Sequence, residues 1–290
     1  MANRTIKKIY NSQKVNMGGI ILDQPLPQRD MDALDPVLLI HHWNDKVKGG
    51  QHPSELGVGP HPHRGFSPVT FIFKGGVHHQ DSSGISGVIY EGGTQWMNSG
   101  RGIVHSERPN KELAAEGGDF ELIQFWVNSP AASKMNPYHY QPLTKEQTPV
   151  IVSDDKKIKV AVVAGETENV KGPITSTSPM LTMRIEAAAG GKKTLHVPSN
   201  FNCLIYVLDG KARVNGQAMS DKQMIIFNND GNTIDFESET ATRAIVLSGE
   251  PINEPIVSYG PFVMNSQQEI MEAIRDYQAG KLGVLEEKFS

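Results

Sequence analysis

His61-Pro62-His63-Arg64-Gly65-Phe66, answered further along by Gly102-Ile103-Val104-His105-Ser106-Glu107, is the reading on which the fold turns. Each half carries two metal-binding side chains at positions i and i+2. In an extended strand such residues share one face, whereas a helix would turn them to different sides. If the two strands are neighbours, His61, His63, His105 and Glu107 converge on one point. The chemistry therefore asks for a sheet, and a metal site is its outline.

The sequence around these pairs supports that demand. Short apolar segments broken by Gly, Pro, Asn and Asp run through the first 250 residues, the punctuation of an all-β sandwich or barrel. The first series of expected strands is 19–22, 37–41, 69–73, 87–89, 94–97, 103–105 and 120–127. Lys74-Gly75-Gly76, Asp81-Ser82-Ser83-Gly84, Glu91-Gly92-Gly93 and Ser99-Gly100-Arg101-Gly102 supply the turns, and no helix-period run interrupts them. Turns this dense suit a small closed barrel.

Residues 129–149, rich in Pro and polar side chains, read as a linker. A second series follows at 157–164, 181–187, 192–197, 203–208, 211–214, 224–227, 233–236 and 241–248. Two units of similar turn density imply a duplicated fold, without a residue-level repeat. The expected division is a metal-binding domain over 1–130, a linker over 131–150 and a second domain over 151–290. One helix is expected, over 267–278: Ser266 is its N-cap with Glu269 three residues on, Gly280 is its stop, and Ile270, Met271, Ile274 and Tyr277 form the apolar stripe.

Bulk properties narrow the function. A net charge of −4 gives no electrostatic reason to bind a polyanion, so direct nucleic-acid binding is not expected. The single cysteine, Cys203, excludes an intramolecular disulfide and a cysteine-built zinc site, and reads as a buried small hydrophobe. The polar start Met1-Ala-Asn-Arg-Thr-Ile-Lys-Lys8 lacks an apolar leader run, and no stretch reaches the length of a membrane span. A soluble, cytoplasmic, monomeric protein without membrane association is the expectation.

Imidazole and carboxylate are ligands for borderline divalent metals, and three His with one carboxylate leave two of six octahedral positions open for substrate or O₂. Fe(II) is the first choice by analogy with oxygenase sites, while Mn, Ni, Cu and Zn fit the same ligand types. If the strand phase continues from His61, the odd positions Val69, Phe71 and Phe73 form an apolar floor beside the metal. His41 and His42, beside Trp43, read as a strand-end pair or as part of a pocket mouth. His52, His78, His139 and His196 read as surface or turn residues, and Trp96 as core.

The motifs His61-Pro-His63-Arg64-Gly65-Phe66, His79-Gln80-Asp81-Ser82-Ser83-Gly84, Gln95-Trp96-Met97 and Gly100-Arg101-Gly102-Ile103-Val104-His105-Ser106-Glu107 resemble the pirin family of the cupin superfamily. Tyr259-Gly260-Pro261-Phe262-Val263-Met264-Asn265, with Asp276-Tyr277-Gln278 after it, is similar to that family's C-terminal signature. The resemblance implies a bicupin: two antiparallel β-barrel, jelly-roll domains with a C-terminal helix, and iron in the N-terminal barrel only. It implies His61, His63, His105 and Glu107 as metal ligands. One departure stands out, because Ser67-Pro68 replaces the family's Glu-Thr; on this reading a carboxylate near the metal is lost.

The resemblance implies a dioxygenase acting on a flavonol such as quercetin with O₂, in which Glu107 serves as ligand and catalytic base. As the alternative, it implies a metal- or redox-dependent regulator that binds a transcription factor or a metabolic enzyme. A sugar-handling or hydrolytic zinc cupin, or a stress-related binding module without turnover, is a third reading.

Overall fold

The structure, a computed structural model, describes residues 2–289. It divides into two compact units that interleave along the chain. One comprises the chain up to His41 together with Glu146–Pro251; the other comprises His42–Lys145 together with the chain from Ile252 onward. The latter carries the histidine pairs and is called here the histidine unit.

The second unit is two antiparallel sheets. Its seven-stranded sheet runs Ile6–Asn11, Gln223–Phe227, Asn202–Asp209, Thr242–Gly249, Met180–Ala187, Ile158–Ala164 and Val150–Val152. Its four-stranded sheet runs Lys192–His196, Thr233–Ser238, Lys211–Val214 and Gln217–Ser220. Apolar residues at alternate positions, most of them β-branched or aromatic, among them Val160, Ile185, Ile205, Val207, Leu195, Val214 and Phe236, close one buried core between the sheets. Cys203 lies in it, fully buried.

The histidine unit repeats the plan. Val58–His63, Ile103–Pro109, Gly76–Asp81 and Ser86–Tyr90 form a four-stranded sheet. Opposite it, His139–Leu143, Thr94–Asn98, Phe66–Lys74 and Gly118–Asn128 lie side by side. Ile72, Val77, Ile89, Phe120 and Leu122 pack between them. In both units the sheets remain open at their edges, a jelly-roll sandwich rather than a closed barrel.

Three expectations change. Residues 131–150 are not a bare linker, because His139–Leu143 pairs along Thr94–Asn98 from His139↔Asn98 to Leu143↔Thr94. A six-residue helix, Lys111–Glu116, stands where no helix was expected. The expected split at 131–150 gives way to interleaving: Ile6–Asn11 pairs with Gln223–Phe227 in the second unit, and the C-terminal segment belongs to the histidine unit.

That segment holds the helix Gln267–Gln278, at the expected bounds, with the Ser266 hydroxyl accepting from the Glu269 amide at 3.3 Å. Its buried face is Ile270 and Ala273 with Ile274, packed on Val104, Phe262 and Met264. Met271, expected in the stripe, is 59% exposed. Among the described residues no helix is long and apolar enough to cross a membrane.

Candidate metal centre

The register places the histidines directly. Val58–His63 and Ile103–Pro109 run antiparallel with His105 opposite His61 and Ile103 opposite His63. Alternation then sends all three imidazoles to the interior face. One ligand atom from each of His61, His63 and His105 lies within 4.8 Å of the other two. The ring centroids are 4.7 Å apart for His61 and His63, 4.4 Å for His61 and His105, and 4.9 Å for His63 and His105.

Each ring is oriented through its Nδ1. His61 Nδ1 lies 2.8 Å from the Gly59 carbonyl, and His63 Nδ1 lies 3.4 Å from the Pro261 carbonyl. His105 Nδ1 lies 3.4 Å from His79 Nδ1. A carbonyl only accepts, so His61 and His63 donate through Nδ1–H, which leaves Nε2 as the bare nitrogen. The Nε2 atoms of His63 and His105 are buried and have no hydrogen-bond partner. An orphaned lone pair costs on the order of 1–3 kcal/mol, a cost that a shared cation removes. Burial first, then the charge of neighbouring His61, pushes His63 and His105 well below the ordinary imidazole range, so both stay neutral as ligation requires. The donor set fits a divalent metal.

Glu107 stands apart from this trio. It follows His105 after a register shift that brings it opposite Val58, and the trio's close grouping does not include it. Its Oε1 accepts from Thr70 Oγ1 at 3.1 Å and from a short contact with Gln95 Nε2; its Oε2 accepts from Gln124 Nε2 at 2.7 Å. Thr70 is paired with both Gln95 and Gln124 in the facing sheet, so these three donors form one row. Oε2 accepts the one bond from Gln124, so a lone pair remains on it for a metal.

Thr70 facing Glu107 overturns one expectation. Val69, Phe71 and Phe73 lie on the opposite face of Phe66–Lys74, where Phe71 meets Phe125 edge-on at 5.0 Å. The phase resets at Gly65, whose φ of +88° breaks the strand; a Cβ there would lie 2.0 Å from the Val263 carbonyl oxygen. The aromatic wall of the site is instead Phe66, 5.0 Å from His63, and Trp126, 5.6 Å from it. Ser67, an odd position too, is buried on the far face with its hydroxyl unpaired. The Ser67 departure therefore removes no carboxylate from beside the histidines.

The residues after His63 are pinned by the C-terminal segment. Arg64 Nε donates to the Arg101 carbonyl at 2.6 Å and Arg64 Nη1 to Asp276 at 3.0 Å. Lys134 Nζ, buried, donates to the carbonyls of Gly65 and Val263 and to Asn128 Oδ1. Burial lowers Lys134 to about 8, with Glu254 and Glu269 opposing.

Sequence reading assigned no role to His79, which is fully buried. His79 Nε2 is 2.9 Å from Asp81 Oδ2, which also takes a short bond from the Tyr138 hydroxyl, and its ring stacks on Tyr140 at 4.2 Å and 9°. Burial pushes Asp81 up, but hydrogen bonds from His79, Ser83 and Tyr138 outweigh it and hold the carboxyl at about 2. Burial and Asp81 push Tyr138 well above its ordinary range. The i, i+2 spacing of His79 and Asp81 was the available signal. The other histidines fall elsewhere: His42 is buried against Glu121 at 3.1 Å, His41 is 3.0 Å from Gln24, and His52 and His139 are exposed. Trp96 is core, as expected.

Comparison with known proteins bears on the fold that carries these residues. The chain matches the family description "Pirin" over residues 19–127 and "Pirin C-terminal cupin domain" over residues 182–283. It is 35% identical over 285 residues to a pirin-like protein of Caulobacter vibrioides, covering 97% of this chain and 100% of that one. A Pseudomonas aeruginosa protein provisionally named a quercetin 2,3-dioxygenase is 38% identical over 225 residues, 78% of this chain and 79% of that one. The crystal structure of quercetin 2,3-dioxygenase from Acinetobacter baumannii superposes with a TM-score of 0.91 at 38% identity, over 98% of this chain and 100% of that one.

Proposed function

The chain belongs to the pirin family of bicupins, and from that premise we propose that it is a dioxygenase of flavonol-type substrates that uses a divalent metal held by His61, His63 and His105. The observation that carries the reading is the pair of buried, unpartnered Nε2 atoms on rings whose Nδ1 atoms are already engaged. A divalent metal bound there, Fe(II) on our reading, supplies Lewis-acid activation of a substrate hydroxyl and a route for electrons to O₂. The likeness to the Acinetobacter baumannii quercetin 2,3-dioxygenase supports this class of substrate.

The chain's own contribution is placement and proton handling. Glu107 takes the hydroxyl proton of the substrate, its oxygens aimed by Thr70, Gln95 and Gln124. Phe66 and Trp126, whose centroids are 4.4 Å apart beside His63, offer an apolar wall to a planar ring and keep water from the reacting hydroxyl. In an oxygen-electrode assay with quercetin, the metal-loaded protein consumes O₂ and His105→Ala does not. Equal uptake by the two proteins would refute the assignment. Glu107→Gln keeps the fold and loses on the order of 10²- to 10⁴-fold in turnover, read in the same assay.

A further inference from the structure

We propose that Asp81 selects, through two imidazoles in series, which nitrogen of His105 faces the metal position; the inference rests on the metal-site reading above. The protons can be placed one after another. Asp81 Oδ1 accepts from the backbone N–H groups of Ser83 at 2.8 Å and Ile85 at 3.2 Å and from the Ser83 hydroxyl at 2.6 Å, so the carboxylate is an acceptor on that side. Asp81 Oδ2 accepts from the Tyr138 hydroxyl and faces His79 Nε2 at 2.9 Å. His79 therefore carries its proton on Nε2, and in the neutral ring its Nδ1 is bare.

Against that bare Nδ1 lies His105 Nδ1, at 3.4 Å. Two bare nitrogens would repel, so His105 donates through Nδ1–H and its own Nε2 becomes the lone pair, the atom left without a partner in the interior. Stacking on Tyr140 fixes the His79 plane, and a half-turn within that plane would set ring carbons against Asp81 and His105 and lose both contacts. His61 and His63 obtain the same tautomer from carbonyls. Of the three, His105 alone obtains it from a side-chain relay, and Asp81, His79 and Tyr138 are positioning residues.

Asp81→Asn tests this in the full-length protein. Asn keeps an oxygen for Ser83 and Ile85 but turns an NH₂ toward His79, which reverses both tautomers. In metal-free protein, ¹⁵N shifts of the histidine rings are expected to show His105 bare at Nε2 in the wild type and protonated at Nε2 in the variant. Titration with Co(II) is expected to show affinity falling about 10- to 100-fold. His79→Phe, which retains the stacked ring, is expected to lose Co(II) affinity to the same degree and covers the case in which Asp81→Asn fails to fold. Unchanged tautomer and Co(II) affinity in a folded variant overturns the relay. A wild type that binds no Co(II) refutes the metal reading instead, and the relay then stands or falls on the ¹⁵N shifts alone.

Discussion

At the scale of single residues, position on a strand face matters more than residue type. Ser67 and Thr70 are three apart on one strand, yet only Thr70 reaches the site, because alternation turns the odd positions away. Ser67→Glu is therefore expected to leave Co(II) affinity within about twofold, checked by titration; a tenfold change would place position 67 at the metal after all. Gly65 is decided by backbone geometry. Gly65→Ala places a Cβ against the Val263 carbonyl at positive φ, and a loss of about 2–4 kcal/mol in urea unfolding is expected.

At the scale of elements, the helix Gln267–Gln278 is legible in the sequence and its partner is not. Capping chemistry is local, so Ser266, Glu269 and Gly280 mark the helix ends through residues adjacent in the chain. Ser266→Ala is expected to cost about 1 kcal/mol, measured by thermal unfolding. Which turn of the stripe is buried depends on the surface it meets: Ala273 rather than Met271 faces Val104 and Phe262, because a small side chain allows close approach. The strand His139–Leu143 escapes sequence reading because its Pro and polar residues carry no alternation; pairing with Thr94–Asn98 makes it a strand.

At the scale of the whole molecule, buried neutral histidines set the acid limit. His41, lowered to about 4 by burial, and His63 and His105, held well below the ordinary imidazole range by burial and then by neighbouring His61, resist protonation when folded. As pH falls below about 6.5 the unfolded chain takes up protons that the folded chain refuses, so stability drops with acid down to about pH 4 for His41. The metal-free protein is expected to lose melting temperature across that window, and saturating Co(II) to raise it at pH 7 in the wild type but not in His105→Ala. Lys134 works in the opposite range. Its pKa is lowered to about 8, so the unfolded state holds the proton longer and stability rises between about pH 8 and 10.5.

The sequence by itself determined the all-β bicupin class, the three imidazoles and their strand spacing, the helix and its cap, and the buried Cys203. These rest on residue chemistry and on period-two or capping patterns that neighbours in the chain create alone. The tertiary structure decided the rest. Ile6–Asn11 joins a sheet with Gln223–Phe227, and the C-terminal helix joins the histidine unit, because a strand or helix is completed by whichever distant edge or face removes its polar backbone and apolar side chains from water. Folding also set Glu107 against Thr70, Gln95 and Gln124 and placed His79 behind His105. Those contacts are made across the sandwich, where no local pattern reaches.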